Sequence, residues 1–234
     1  MNRLFNMSVL FLGVYQSCAW AAERFERVSV HLEQTIEDGD VEIAFEAISG
    51  TAGLTALKVV APDGRTVADF KAADSRLGMR QITLESPEPK NDGSLQADFA
   101  AGSYRFTGTL TTGTTLQGEA TLSHGFPGTA RIVQPRTGEH GVPVAGLQVR
   151  WAPVRNAAGY IVVLEHEKTG RQIKADLGGS ATTFAVPDGF LAPGLEYKLA
   201  VGAVGKDGNR TVSEIDFTTA GKKVARSEGQ SNGE

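Results

Sequence analysis

The stretch LAPGLEYKLAVGA at residues 191–203 decides the fold of the second half of this chain. A Pro-Gly bend comes first, and apolar residues then occupy every second position; these are Tyr197, Leu199, Val201 and Ala203. Successive side chains of a β-strand point to opposite faces, so this spacing predicts a strand with one face in a core. The sequence therefore predicts a half-buried strand directly after a tight bend.

Two upstream stretches show the same alternation. In LQVRWAP at 147–153, Leu147, Val149 and Trp151 share one face. Ala158-Gly159-Tyr160 then opens another strand, whose apolar face holds Tyr160, Val162 and Leu164. A closing strand is expected over 212–219, which ends in Phe-Thr-Thr. Short alternating runs separated by turns are typical of a β-sandwich.

In this order and spacing, residues 131–219 resemble a fibronectin type III domain. The resemblance implies that Trp151 fills the core and that the Tyr197 hydroxyl bonds to backbone at the corner before its strand. It also fits a domain that packs without an inter-sheet disulfide. The segment 136–145 is longer than the family's turn between its first two strands, so the first strand is expected to be displaced or poorly paired.

The sequence of the first half also predicts short strands. Tyr104 and Phe106 share an apolar face, and Asp-Gly pairs, which favour tight turns, recur five times along the chain. The stretch 101–106 with its Thr/Gly-rich hairpin is similar in shape to prealbumin-like and carboxypeptidase-regulatory-like sandwiches. The predicted fold class is all-β, with two tandem sandwiches. Strands of the first half are expected near 25–34, 41–48, 55–61, 65–71, 80–85, 95–100, 103–110 and 114–122.

The N-terminal residues have the layout of a secretory signal peptide, with Arg3, a short apolar run and Ala19-Trp20-Ala21. An uncleaved anchor and lipid attachment at Cys18 are the alternatives. The apolar run is shorter than the roughly 20 residues that span a bilayer. The expected organisation is a signal peptide at 1–22, a sandwich at 23–123, a linker at 124–130, the fibronectin-like domain at 131–219 and a disordered polar tail at 220–234.

The cysteine content, net charge and apolar stretches of the chain limit which partners and surroundings are expected. Cys18 is the only cysteine, so the processed chain has none and must be held by packing alone. The chain carries 23 basic and 27 acidic residues, and loss of Arg3 with the signal leaves a net charge of −5. A mildly acidic chain lacks the positive surface that binds phosphates, so no nucleic-acid partner is expected. No later apolar stretch predicts an integral membrane segment.

No catalytic, cofactor or metal motif is present, and the chain is predicted not to be an enzyme. His166-Glu167 lacks the second histidine of a zinc protease, since position 170 is glycine. The four histidines at 31, 124, 140 and 166 are expected at surface or edge positions. Glu37, Asp38, Asp40 and Glu42 could hold calcium, but without a D-x-D-x-D-G spacing a solvated turn is favoured. Trp151, Tyr160, Tyr197 and Tyr104 are assigned to the core.

Loops offer the best candidate sites, because sandwich loops often bind partners. The resemblance places the loops 154–158 and 205–210 at one end of the sandwich. The predicted function is an exported, non-enzymatic binding or scaffold protein, expected in the bacterial periplasm or outside the cell, acting on a protein or cell-envelope partner. The alternatives are an accessory or small-ligand-binding module of an exported hydrolytic system, and a purely structural, self-associating protein. The candidate contact residues are Arg155, Asn156, Lys206, Asp207, Asn209 and Arg210.

Overall fold

The computed structural model describes residues 23–87, 92–166 and 168–221. The predicted signal peptide at 1–22 and the tail from 222 onward lie outside the described residues. Within those three ranges, no helix has the length and apolar character needed to cross a membrane.

The described residues form sixteen strands and one short helix, which confirms the all-β prediction. The first sandwich comprises β1 (Glu23–Arg24), β2 (Arg27–Thr35), β3 (Val41–Ile48), β4 (Leu54–Val60), β5 (Thr66–Lys71), β6 (Gln81–Glu85), α1 (Asp92–Asp98), β7 (Gly102–Leu110) and β8 (Thr115–Leu122). The second comprises β9 (Ile132–Gln134), β10 (Glu139–Val142), β11 (Gln148–Trp151), β12 (Gly159–His166), β13 (Arg171–Gly178), β14 (Thr183–Ala185), β15 (Glu196–Val204) and β16 (Arg210–Thr219).

The first sandwich packs a five-stranded sheet, in the order β1-β8-β7-β4-β5, against β2, β3 and β6. Its core contains Ile43, Leu57, Tyr104 and Phe106, each at most 1% exposed. The Tyr104 hydroxyl donates a 3.0 Å hydrogen bond to the Ala100 carbonyl. The buried polar atom of the ring therefore has a local partner, as a buried phenol requires.

The strand predicted at 95–100 is wrong, because this segment forms helix α1 and its exit. Leu95 is 3% exposed, and both Leu95 and Phe99 pack against the first core. Their spacing of four residues puts both side chains on one face of a helix, although with Ala97 between them they also fit a strand. The Asp92-Gly93 pair accordingly opens the helix, whereas Gly39, Gly64, Gly189 and Gly208 lie in turns with positive φ.

The second sandwich packs a three-stranded sheet, β14-β11-β9, against β13-β12-β15-β16. Trp151, Tyr160 and Tyr197 lie in its core at 1–3% exposure. The first strand is split between the sheets: β9 pairs with β11, and β10 pairs in parallel with β16. The long segment 136–145 thus contains an additional strand, which accounts for its length.

Tyr197 makes the expected corner contact. Its hydroxyl oxygen accepts a 2.9 Å hydrogen bond from the Ala192 amide, five residues earlier. We expect Tyr197→Phe to lower the free energy of unfolding by about 1–2 kcal/mol, because the Ala192 N–H would lose its partner in a half-buried setting. Urea denaturation of the two proteins measures this difference. An unchanged midpoint would show that the hydrogen bond adds nothing to stability.

The two sandwiches share one sheet. The last strand, β16, pairs in parallel with β2, with Arg210, Thr211 and Val212 opposite Glu33, Gln34 and Thr35. The resulting order, β13-β12-β15-β16-β2-β3-β6, runs without a break from one sandwich into the other. The outer face of this shared sheet is therefore a surface to which both halves of the chain contribute.

Candidate functional site

The predicted loops do meet, but at the junction of the sandwiches. Arg155, Asn156, Lys206 and Asp207 line an open depression of about 380 Å³ together with residues 125–127. The side chains of Arg155, Asn156 and Lys206 are exposed there. Asp207 accepts a hydrogen bond from the Ser123 hydroxyl, so it contacts the end of the first sandwich. Four of the six candidates, Asp207 included, are thus exposed at this depression.

Asn209 cannot be a partner-binding residue, because its exposed fraction is 0%. Its side-chain oxygen accepts a 2.8 Å hydrogen bond from the Leu32 amide in β2. Its side-chain nitrogen donates to the Ser123 and Gly125 carbonyls at 3.0 and 2.7 Å. The buried amide of Asn209 therefore connects the second sandwich to three parts of the chain: β2, the end of the first sandwich and the linker. Its hydrogen bonds also satisfy backbone groups that would otherwise be buried without a partner.

Arg210 is also occupied at the junction. Its guanidinium Nη1 lies 2.9 Å from Glu33 Oε2, and the two side chains are 26% and 27% exposed. Nearby, the Thr211 hydroxyl donates to the Pro127 carbonyl at 2.8 Å and accepts from Gln34 Nε2 at 3.0 Å. The loop prediction is therefore corrected for Asn209, which is buried in the junction, whereas Arg210 stays partly exposed while it pairs with Glu33 across the junction.

A trough lies on the outer face of the shared sheet, next to these contacts. Its floor is Ala200 and Gly202 of β15, and its volume is about 150 Å³. A Cβ atom at position 202 would lie 3.3 Å from Val212 Cγ2, so the glycine keeps the trough open. The side walls and ends of the trough are formed by Ile161, Val163, Val212, Glu214, Lys174, Arg210, Glu33 and Thr35.

One wall of the trough is acidic. Burial raises the pKa of the Glu214 carboxyl; Lys198, 3.7 Å away, lowers it, and the carboxylates of Asp38, Glu37 and Asp216 raise it. The Glu37 carboxylate also accepts a 2.9 Å hydrogen bond from the Glu214 amide, which holds the turn after β2 beside this wall. A basic group entering here would relieve repulsion among these carboxylates.

His31 lies on the same sheet face beside the trough, and it is 4% exposed. Burial and, to a smaller extent, the charges of Arg210 and Lys174 lower its pKa to about 4. Its Nε2 atom has no hydrogen-bond partner among the described residues. The surface or edge prediction is wrong for His31 and for His166, which is 8% exposed and bonds through Nδ1 to the Thr169 hydroxyl.

Glu37, Asp38 and Asp40 lie in the hairpin turn between β2 and β3, and Glu42 is the second residue of β3. Asp38 Oδ1 accepts a 3.1 Å hydrogen bond from the Asp40 amide within the turn. In the part of the chain that the structure describes, no group of three or more His, Cys, Asp or Glu side chains is arranged to hold a metal ion.

No family model matches this sequence, and no curated protein matches it. Among solved structures, the chain is similar to the fibronectin(III)-like modules of Clostridium thermocellum CbhA, at 10% identity and a TM-score of 0.35 over 89% of this chain and 94% of that one. It is also similar to a two-domain fibronectin type III segment of chicken tenascin (14%, TM-score 0.31, 84% and 100% covered). A third is the FN1–FN3 region of chicken CNTN1 (14%, 0.32, 86% and 65%).

The strand order within the chain decides the fold. A sheet of three strands faces four strands of the shared sheet, and a tyrosine corner lies at the start of β15, the arrangement that the sequence resemblance implies. The second sandwich has a fibronectin type III-like strand arrangement.

The fibronectin type III-like sandwich therefore contributes most of the trough, which the sequence did not indicate as a site. One signal was available: GYIVVLEH at 159–166 is apolar on both faces between Tyr160 and Leu164. A strand with one wet face should alternate, so apolar residues at Ile161 and Val163 indicate that the second face is also partly covered. The contribution of Glu33 and Thr35 to the trough could not be read in this way, because they come from the other sandwich.

Proposed function

We propose that this chain is an exported, non-enzymatic binding protein that holds another protein of the cell envelope against the trough. The observation that carries the proposal is the shared sheet: it builds one apolar depression from both sandwiches, with charged side chains around it. Binding energy at protein interfaces concentrates where an apolar anchor fills such a pocket and polar groups surround it.

The junction supports this role because it fixes the trough before a partner arrives. Asn209 is fully buried and bonds to both sides of the junction, and Arg210 pairs with Glu33 across it. A preformed surface loses less conformational freedom on binding, and this raises affinity. The exposed Arg155, Asn156 and Lys206 lie at the same junction and are proposed as secondary contacts.

The chemistry of the trough specifies the partner segment. The floor and walls supplied by Ala200, Ile161 and Val212 fit one apolar side chain. The carboxylates around Glu214 favour a Lys or Arg next to it. The expected partner therefore presents an exposed apolar residue beside a basic one.

The trough itself is too small to be the site of a small-molecule carrier. Ligand pockets typically enclose about 300–1,000 Å³, whereas the trough has about 150 Å³. An accessory module of a hydrolytic system that carries a small ligand would be stabilised thermally by that ligand. A screen of glycans, metals and small molecules is expected to leave the melting temperature unchanged, and a clear rise would favour this alternative.

The proposal is tested by photo-cross-linking in cells. A cross-linking amino acid at Ala200 is expected to capture one envelope or secreted protein. The same group at Thr107, which is exposed on the outer face of the first sandwich, is the control. With the captured protein purified, Gly202→Leu should weaken binding at least about tenfold by filling the trough, and Glu214→Lys should weaken it by adding a positive charge.

Thr107→Lys should leave the affinity unchanged. The proposal fails if positions 200 and 107 capture the same proteins, if the captured protein is cytosolic, or if Gly202→Leu binds as well as wild type. Near-identical circular dichroism spectra of the variants would show that lost binding does not reflect unfolding.

A further inference from the structure

Strand β13 is a long edge of the shared sheet. Its eight residues, Arg171–Gly178, pair one-to-one with Gly159–His166 of β12 without a register shift. Within the described residues, no strand pairs with its other side. Such an edge presents unpaired N–H and C=O groups that can accept a strand from another chain.

The other edges of the three sheets are shorter or less regular. Strand β5 has six residues, and its pairing with β4 shifts register between Val59 and Val60. Strands β6, β10, β14, β9 and β1 have five, four, three, three and two residues. Strand β13 is therefore the best platform for adding a strand, because length and regularity set the number of new hydrogen bonds.

The side chains of β13 are suited to pairing with themselves. Lys174 and Asp176 are exposed on the outer face, and neither forms an ion pair within the described chain. Ile173 and Leu177 are half-buried and pack on the second core. Both pairs are symmetric about Ala175, which lies between them.

This symmetry selects one register. In an antiparallel pair related by a two-fold axis perpendicular to the sheet, opposite residues must point to the same face. With the axis at Ala175, Lys174 lies opposite Asp176 of the second copy, twice, and Ile173 lies opposite Leu177. With the axis at Lys174 or Asp176, like charges would meet, and with the axis at Ile173 or Leu177 neither ion pair would form.

We propose that two copies of this chain associate through β13 in the Ala175-centred antiparallel register, joining their shared sheets into one. The occupant of the edge is a second copy because the charges on β13 complement themselves in that register and in none of its neighbours. The dimer would set two troughs on one continuous face. The proposal does not depend on the proposed partner, because dimerisation is measured without that partner and Asp176, unlike Lys174, does not line the trough.

A charge exchange tests the dimer in the mature chain. Lys174→Asp and Asp176→Lys each replace two attractive cross-strand pairs by two repulsive ones, so each should raise the dimer dissociation constant roughly 10- to 100-fold in sedimentation equilibrium. The double variant K174D/D176K should dimerise as wild type does. An equimolar mixture of the two single variants should form heterodimers, because every pair is then attractive.

Lys58→Asp makes the same charge change on β4, where the side chain is exposed, and should leave the dissociation constant as it is. A wild-type chain that stays monomeric at its highest soluble concentration overturns the proposal. So does a single variant that dimerises like wild type, or a mixture of single variants that does not associate. Circular dichroism of each variant separates loss of the dimer from loss of the fold.

Discussion

Replacing Asn209 by alanine is expected to lower the free energy of unfolding by about 3–4 kcal/mol, more than most single substitutions cost. The side chain is fully buried and bonds to the Leu32 amide and to the Ser123 and Gly125 carbonyls. Alanine would leave these backbone groups without a partner inside the junction, and each such group costs about 1–3 kcal/mol unless water reaches it. Urea denaturation at neutral pH measures the loss.

The same substitution should also change how the chain unfolds. Wild type is expected to unfold in one transition, because the sandwiches share a sheet. Asn209→Ala should separate this into two, since weak coupling lets each core melt alone. Lys206→Ala, three residues away and exposed, is the control and should change stability by less than about 0.5 kcal/mol. A variant that matches wild type in midpoint and shape would show that Asn209 does not hold the junction.

Acidification is expected to destabilise the fold through His31. Burial, then Arg210 and Lys174, lower its pKa from 6.5 to about 4. Between pH 4 and pH 6.5, His31 is protonated in the unfolded chain but remains neutral in the folded chain. Stability is therefore full above pH 6.5 and falls as the pH drops toward 4, by about 3 kcal/mol from this one group.

The test compares wild type with His31→Phe, which keeps a ring but cannot titrate. Unfolding free energies at pH 7.5 and pH 4.5 should differ by about 2–3 kcal/mol less in the variant than in wild type. A second variant, His31→Asn, guards against a packing effect of the larger ring. The raised pKa of Glu214 acts in the opposite direction and is common to all three proteins, so the difference between them isolates His31. Equal pH dependence would contradict the role of the buried imidazole.

Much of the fold was predictable from local pattern. The strand expected at 41–48 has those bounds in the structure, and those at 103–110 and 114–122 differ by one residue at their starts. Alternation sufficed there because each strand has one buried face and is bounded by a turn. The strand prediction for 95–100 was wrong because the spacing of Leu95, Ala97 and Phe99 fits both a strand and a short helix. Packing against the first core decided between the two.

The candidate site was predictable only in part. The meeting of the loops around Arg155 and Lys206 followed from the family resemblance. The burial of Asn209 did not follow from it, because the sequence Asp-Gly-Asn alone predicts an exposed turn. Only contacts with β2 and the linker bury this side chain. His31 was misplaced for the same reason: its neighbours Arg210 and Lys174 come from the other sandwich.

By itself, the sequence determined the all-β class, the alternation that buries Trp151, Tyr160, Tyr197 and Tyr104, and the position of most turns. Those features depend on neighbours within a few residues, which a linear pattern records. Only the tertiary structure decided that β16 pairs with β2, that the two sandwiches share a sheet, and that a trough opens across them. These depend on groups up to 177 positions apart, such as Leu32 and Asn209, whose contact no local periodicity encodes.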